Sequence, residues 1–171
     1  DNLTKVYTNW YGSDMSNTMN YTNGFLTKVS SNSSAFTFTY DEIGRIKSIK
    51  IGSTELVGKS YTDTAEPTVT TTYANGMTLK IYSDIFGNPI KCVSGTSDVL
   101  FTADYLPNGA INYLVDNCER IKYNYIYNSN GNVTSVEHID TNTNTVKYTD
   151  TFEYYTDGRT KNTTYGALSH K

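Results

Sequence analysis

A tyrosine, a short polar stretch and a glycine recur along this chain at hairpin spacing. Tyr21 leads to Asn23-Gly24, Tyr40-Asp41 to Gly44-Arg45, and Tyr73 to Asn75-Gly76. Asp84 leads to Gly87-Asn88, Tyr105 to Asn108-Gly109, Tyr127 to Gly131-Asn132, and Tyr155 to Asp157-Gly158-Arg159. Repetition of this kind marks a stack of one supersecondary unit. Here the unit is a strand followed by a glycine turn.

The segments between turns alternate with period two, which is the strand signature. Phe36, Phe38 and Tyr40 share a face, as do Met77, Leu79 and Ile81. The same holds for Val99, Phe101, Ala103 and Tyr105, for Ile111, Tyr113 and Val115, and for Ile121, Tyr123, Tyr125 and Tyr127. Thr, Lys, Asn and Ser fill the other face, which suits a sheet with one solvated side. The Asn-Gly and Asp-Gly pairs point to type I′ hairpin turns, where both central residues need positive φ. The turns at Gly44, Gly87 and Gly131 are longer, and there glycine takes the left-handed position of a bulged loop. Aligning Val115 to Ile121 with Tyr40 to Ile46 puts Glu119 where the glycine belongs.

Composition agrees with strand and turn. Aromatic residues make up 13% of the chain, with 16 tyrosines, while hydrophobic content is only 37%. Tyrosine supplies buried area and keeps a polar tip that tolerates a wet edge. Turn signals every ten to twelve residues describe a meander of roughly fourteen strands. Open twisted sheets rarely exceed about ten strands without curling. The expected fold is therefore all-β: an antiparallel meander of repeated β-hairpins curled into an open spiral sheet. It is expected to span residues 1–171 as one array, with repeats clearest over 21–165.

A net charge of −3 offers no basic footprint for nucleic acid, and no apolar run is long enough to span a bilayer as a helix. Cys92 and Cys118 have no metal-like spacing and leave both a disulfide and two free thiols open. No cofactor or metal site is expected.

The Tyr-Asp-x-x-Gly-Arg-Ile form at Tyr40 to Ile46 resembles the tyrosine–aspartate (YD) repeat of the Rhs family. Variants stand at Asp84 to Asn88 and Tyr127 to Val133, and shorter Tyr-x-Asn-Gly turns at Tyr21 and Tyr73. The resemblance runs from about Tyr21 to Tyr165. It implies a bacterial secreted or cell-surface protein whose hairpins wind into a hollow shell or spiral, enclosing a toxic segment or serving cell contact. The family's self-cleaving Asp-Pro-x-Gly setting does not occur in this chain.

The candidate functional residues read as structural turn residues: Gly24, Tyr40, Asp41, Gly44, Arg45, Gly76, Asp84, Gly87, Gly109, Asp116, Gly131 and Gly158. Aspartate in a turn hydrogen-bonds its own backbone. Arg45, Arg120 and Arg159 are expected to pair with the aspartate of a neighbouring hairpin. His138 and His170 lack a nucleophile context, so no enzyme activity is expected. Trp10 and Tyr11 are the candidate platform for stacking a glycan, in the alternative reading of an adhesion module. The expected partners are flanking repeats of a longer chain, with a glycan or cell-surface partner in the alternative reading. The stretch Phe152 to Tyr165 is expected to be an exposed edge that self-associates through its strand.

Overall fold

The computed structural model describes residues 5–10, 13–31 and 34–166, with side chains described from Asn17 onward. The described residues form an all-β, antiparallel meander with no helix: fifteen strands lie in one sheet in strict sequence order, and the order does not close on itself.

Contacts within the chain gather into two compact units, one of residues 1–62 with 68–80, the other of 63–67 with 81–171. The first holds β1 (Lys5–Trp10), β2 (Ser13–Thr22), β3 (Phe25–Ser31), β4 (Ser34–Tyr40), β5 (Ile46–Ile51), β6 (Thr54–Thr62) and β7 (Thr68–Tyr73). The unit boundary falls inside β8 (Thr78–Ser83). The second holds β9 (Pro89–Ser94), β10 (Asp98–Tyr105), β11 (Ile111–Asp116), β12 (Ile121–Tyr127), β13 (Val133–Asp140), β14 (Thr145–Tyr154) and β15 (Thr160–Thr164).

The core formed by the described residues is thin. Only Cys92, Val93, Ile121 and Val136 are buried apolar residues among those described. Phe25, Phe36, Met77 and Ile126 stay exposed. The cohesion of each unit therefore comes from cross-strand pairs and backbone ladders more than from a deep core.

Alternation is interrupted by bulges at recurrent places. The register shifts at Thr39/Tyr40, Asp104/Tyr105, Ile126/Tyr127 and Glu153/Tyr154. Each shift falls on the tyrosine that precedes a glycine turn. The expected outer edge over Phe152 to Tyr165 is corrected in part. Phe152 and Glu153 lie in β14, which pairs with both β13 and β15, so β15 alone is the outer strand at this end.

The turn around Glu119 resolves differently from the alignment. Asp116 pairs with Ile121 and encloses a four-residue loop, and the positive φ of 56° falls on Arg120. The β13–β14 loop repeats this form: Asp140 pairs with Thr145, and Asn144 takes φ 53°. Asn adopts this conformation at less cost than Arg. Arg120→Gly is therefore expected to stabilise the second unit by about 0.5–1 kcal/mol, read as a rise in the urea midpoint. A lower midpoint would show that the Arg120 side chain contributes more than the strain removes.

Candidate functional site

The repeated residues converge on the turns, and six turns share one hydrogen-bond plan. Their first residues are Asp41, Tyr73, Asp84, Leu106, Asn128 and Tyr155. In each, the glycine three residues on donates its N–H to the first residue's carbonyl, at 2.8–3.1 Å. The first residue's N–H in turn donates to the carbonyl four residues on, at 2.8–2.9 Å. The glycine φ values lie between +82° and +88°, the left-handed region that closes such a bulged turn.

The four-residue plan corrects the expectation of type I′ turns at every Asn-Gly and Asp-Gly pair. Asn23-Gly24 is the pair with positive φ at both residues, 51° and 82°. At Gly76, Gly109 and Gly158 only the glycine is left-handed, because the turn there begins two residues before the Asn or Asp.

One N–H in these turns, four residues after the start, is served by a side chain. Asp41, Asp84 and Asn128 reach it from the first position, accepting from Arg45, Asn88 and Asn132 at 2.8–3.0 Å. Where the first position is Tyr or Leu, the acceptor moves two residues on. Asn75, Asn108 and Asp157 then accept from Met77, Ala110 and Arg159. This alternative placement is why the motif alternates between Tyr-Asp-x-x-Gly and Tyr-x-Asn-Gly. Asp116 serves its own loop by accepting from the N–H groups of Cys118 and Glu119.

Arg45 and Arg159 each pair with the aspartate of their own turn. Arg45 Nε lies 2.7 Å from Asp41 Oδ2, and Arg159 Nε lies 2.8 Å from Asp157 Oδ2. It is the tyrosine that reaches across. At the end of an outgoing strand, its hydroxyl donates to the carbonyl at the start of the preceding strand. In the first unit Tyr40 donates to Leu26 and Tyr61 to Ile46, both at 2.8 Å. In the second, Tyr105 donates to Pro89 at 3.0 Å, Tyr127 to Ile111 at 2.6 Å and Tyr154 to Val133 at 2.8 Å. Burial pushes the Tyr105 and Tyr127 hydroxyls above their ordinary pKa, which keeps them neutral donors. The rings add to the tie: Phe25 packs 4.9 Å from Tyr40, and Arg45 stacks 4.1 Å from the Tyr61 ring centre.

The turn carboxylates carry the acid response. At Asp41, burial pushes the carboxyl up but the Arg45 side chain and turn N–H groups outweigh it. The Asn88 side chain lowers Asp84, and Lys147 lowers Asp140, from an ordinary value of 3.8. A lowered folded-state pKa contributes stability above the unfolded value and loses it as pH falls through the folded value. The thermal midpoint is therefore expected to hold above about pH 5 and fall below about pH 4. Asp84→Asn, which places at this turn the amide that Asn128 supplies in its own, should flatten part of that acid slope with little change at pH 7. Superimposable pH profiles would show that Asp84 contributes nothing to it.

A second cluster was not singled out by sequence. His138 on β13 is buried, with Nε2 2.9 Å from Asp150 Oδ2 on β14. Its ring lies 4.1 Å from Tyr148 and 4.8 Å from Tyr123. Asp150 Oδ1 also accepts the Gly166 N–H at 3.0 Å. The pair ties β13, β14 and the chain after β15 together. Cys92 and Cys118 are free thiols, and burial pushes the Cys92 thiol up. Among the described residues no group of His, Cys, Asp and Glu is arranged to hold a metal ion. Tyr11 and His170 lie outside the described residues, and of Trp10 only the backbone, in β1, is described.

No family model and no curated protein sequence matches the chain. Solved structures do. A Photorhabdus luminescens Tc holotoxin pore carrying a TccC3 mutation matches with a TM-score of 0.68 at 15% identity. The fold is one that Tc toxin chains carry. The match covers 88% of this chain and 9% of that one. A crystal structure of TcdB2-TccC3-TEV matches with a TM-score of 0.66 at 15% identity, over 86% of this chain and 9% of that one. This chain thus spans a small part of the length of the chains whose fold it shares.

Proposed function

We propose that this chain is a non-enzymatic structural segment of a secreted or cell-surface YD/Rhs-type repeat protein, contributing hairpins to a β-shell or spiral scaffold. The observation that carries the reading is the tyrosine tie. The motif tyrosines Tyr40, Tyr105 and Tyr127, and the strand-end tyrosines Tyr61 and Tyr154, donate their hydroxyls to the preceding strand's carbonyl. The glycine and the Asp or Asn of the motif are likewise committed to closing turns. A motif whose members are spent on holding backbone is a motif for building an array, in which each repeat needs its neighbours. The recurrence of the fold within much longer Tc toxin chains supports a place inside a larger polypeptide, and favours toxin encapsulation over cell contact.

Electron cryomicroscopy of the full-length parent polypeptide tests this. The expected image is a continuous β-wall in which the outer edge of β15 is paired by a following strand. A separate bead tethered by flexible linkers, with β15 unpaired, would overturn it.

A further inference from the structure

Four Asn-Gly steps occur in the chain: Asn23-Gly24, Asn75-Gly76, Asn108-Gly109 and Asn130-Gly131. Asparagine is a thermolabile residue, and a following glycine makes it more so. The glycine nitrogen can attack the asparagine side-chain carbonyl carbon, because a five-membered ring then closes and glycine brings no side chain to shield it. At all four glycines the space around a would-be Cβ is empty to 4 Å. Steric access therefore does not tell the four steps apart. Hydrogen bonding does.

The attack needs the glycine N–H to give up its proton and the asparagine side chain to turn freely. At Gly76, Gly109 and Gly131 the N–H is committed. It donates to the carbonyls of Tyr73, Leu106 and Asn128 at 2.9, 2.8 and 3.0 Å. Asn75 and Asn108 are held a second time, since their Oδ1 atoms accept the N–H groups of Met77 and Ala110, each at 3.0 Å. Asn23-Gly24 lies in the two-residue turn, where both residues take positive φ. The pair that closes this turn is Thr22 with Phe25. Among the described residues none accepts the Gly24 N–H or holds the Asn23 side chain. Both residues are exposed.

We infer that Asn23 is a site of spontaneous deamidation, the fastest of the four Asn-Gly steps. The Gly24 nitrogen loses its proton to water and bonds to Asn23 Cγ. The side-chain nitrogen takes up a proton and leaves as ammonia, and a succinimide remains. A water molecule then opens the ring at either carbonyl. One opening gives aspartate at this position, the other isoaspartate, whose main chain runs through the side-chain carbon. Either product adds one negative charge. Isoaspartate also lengthens the main chain by one carbon inside a turn of only two residues. That disturbs the Thr22–Phe25 closure, and with it the Phe25 ring that packs against Tyr40 and Gly44.

The test uses the whole chain, incubated in mildly alkaline buffer when folded and, in parallel, in urea. Peptide mass spectrometry follows the conversion of amide to carboxyl at each step, and isoaspartyl methyltransferase labels the isoaspartate. A hydrogen bond of ordinary net strength slows a reaction that must break it by about fivefold. In the folded chain Asn23 should therefore react about fivefold faster than Asn130, which is held once. It should react on the order of twentyfold faster than Asn75 or Asn108, which are held twice. In urea, where no turn survives and glycine follows in every case, the four rates should converge. Asn23→Ser should remove the fastest phase of ammonia release from the folded chain and leave the slower phases unchanged. Reaction at Asn23 no faster than at Asn75 and Asn108 in the folded chain would overturn the inference, as would the same order of rates in urea.

Discussion

Replacing Gly44 with valine is expected to cost about 3 kcal/mol, the largest loss at any repeat glycine. Two effects add at this position. Its φ of +87° strains a β-branched residue, worth about 1–3 kcal/mol. A Cβ built there would also lie 2.7 Å and 2.9 Å from two ring carbons of Phe25, an overpacking that costs ~1–3 kcal/mol. Gly131 has φ +82° but nothing within 4 Å of such a Cβ, so Gly131→Val should show the strain alone, about 1–2 kcal/mol. Urea denaturation of the two variants gives the comparison. Adding Phe25→Ala to Gly44→Val should recover the packing part, because residues in contact couple. Equal losses at Gly44 and Gly131 would mean that the Phe25 ring swings aside without cost.

The second large loss is expected at His138. His138→Ala removes the ring between Tyr123 and Tyr148 and leaves the Asp150 carboxylate, whose side chain is 15% exposed, without its partner. Truncating a large buried ring costs about 3–5 kcal/mol, and removing the donor to Asp150 Oδ2 adds about 1–3 kcal/mol where the acceptor stays buried. Partial exposure discounts both, to about 3 kcal/mol in all. Asp150→Asn placed on top should recover roughly 1 kcal/mol or more, since a neutral amide leaves no unpaired charge. A double variant no more stable than His138→Ala would assign the whole loss to ring packing.

Hairpin repetition was readable because the turn needs glycine in a conformation other residues resist, and nature marks that need with the same letter each time. Alternation at Phe36, Phe38 and Tyr40 or at Ile121 to Tyr127 was readable because period two survives along these strands. The turn class was less legible. Asn75-Gly76 and Asn23-Gly24 look alike as dipeptides, yet the first closes a four-residue turn and the second a two-residue one. The difference lies in how far the ladder runs before the turn, which a dipeptide does not state. The pairing of Arg45 with Asp41 inside one turn was not legible in the sequence. Positions one and five of the turn are brought together by its own curl, a geometry invisible until the bulge is known. His138 and Asp150 stand twelve residues apart in sequence, and a regular hairpin centred on Asn142-Thr143 would set His138 opposite Lys147. The register shift between His138 and Ile139 sets it opposite Tyr148 instead, one diagonal step from Asp150, and a bulge of that kind is not legible from the sequence.

The strict sequence order of the strands governs how the protein comes into being. Each strand pairs only with the one made just before and the one made just after it. Closing a short loop is entropically cheap, and chains rich in local pairing fold quickly. A nascent hairpin can therefore settle onto its predecessor while the ribosome is still delivering the next. Maturation becomes vectorial, advancing like a zip with the emerging chain. A polypeptide many times this length would then never carry more than one unpaired hairpin at its growing end.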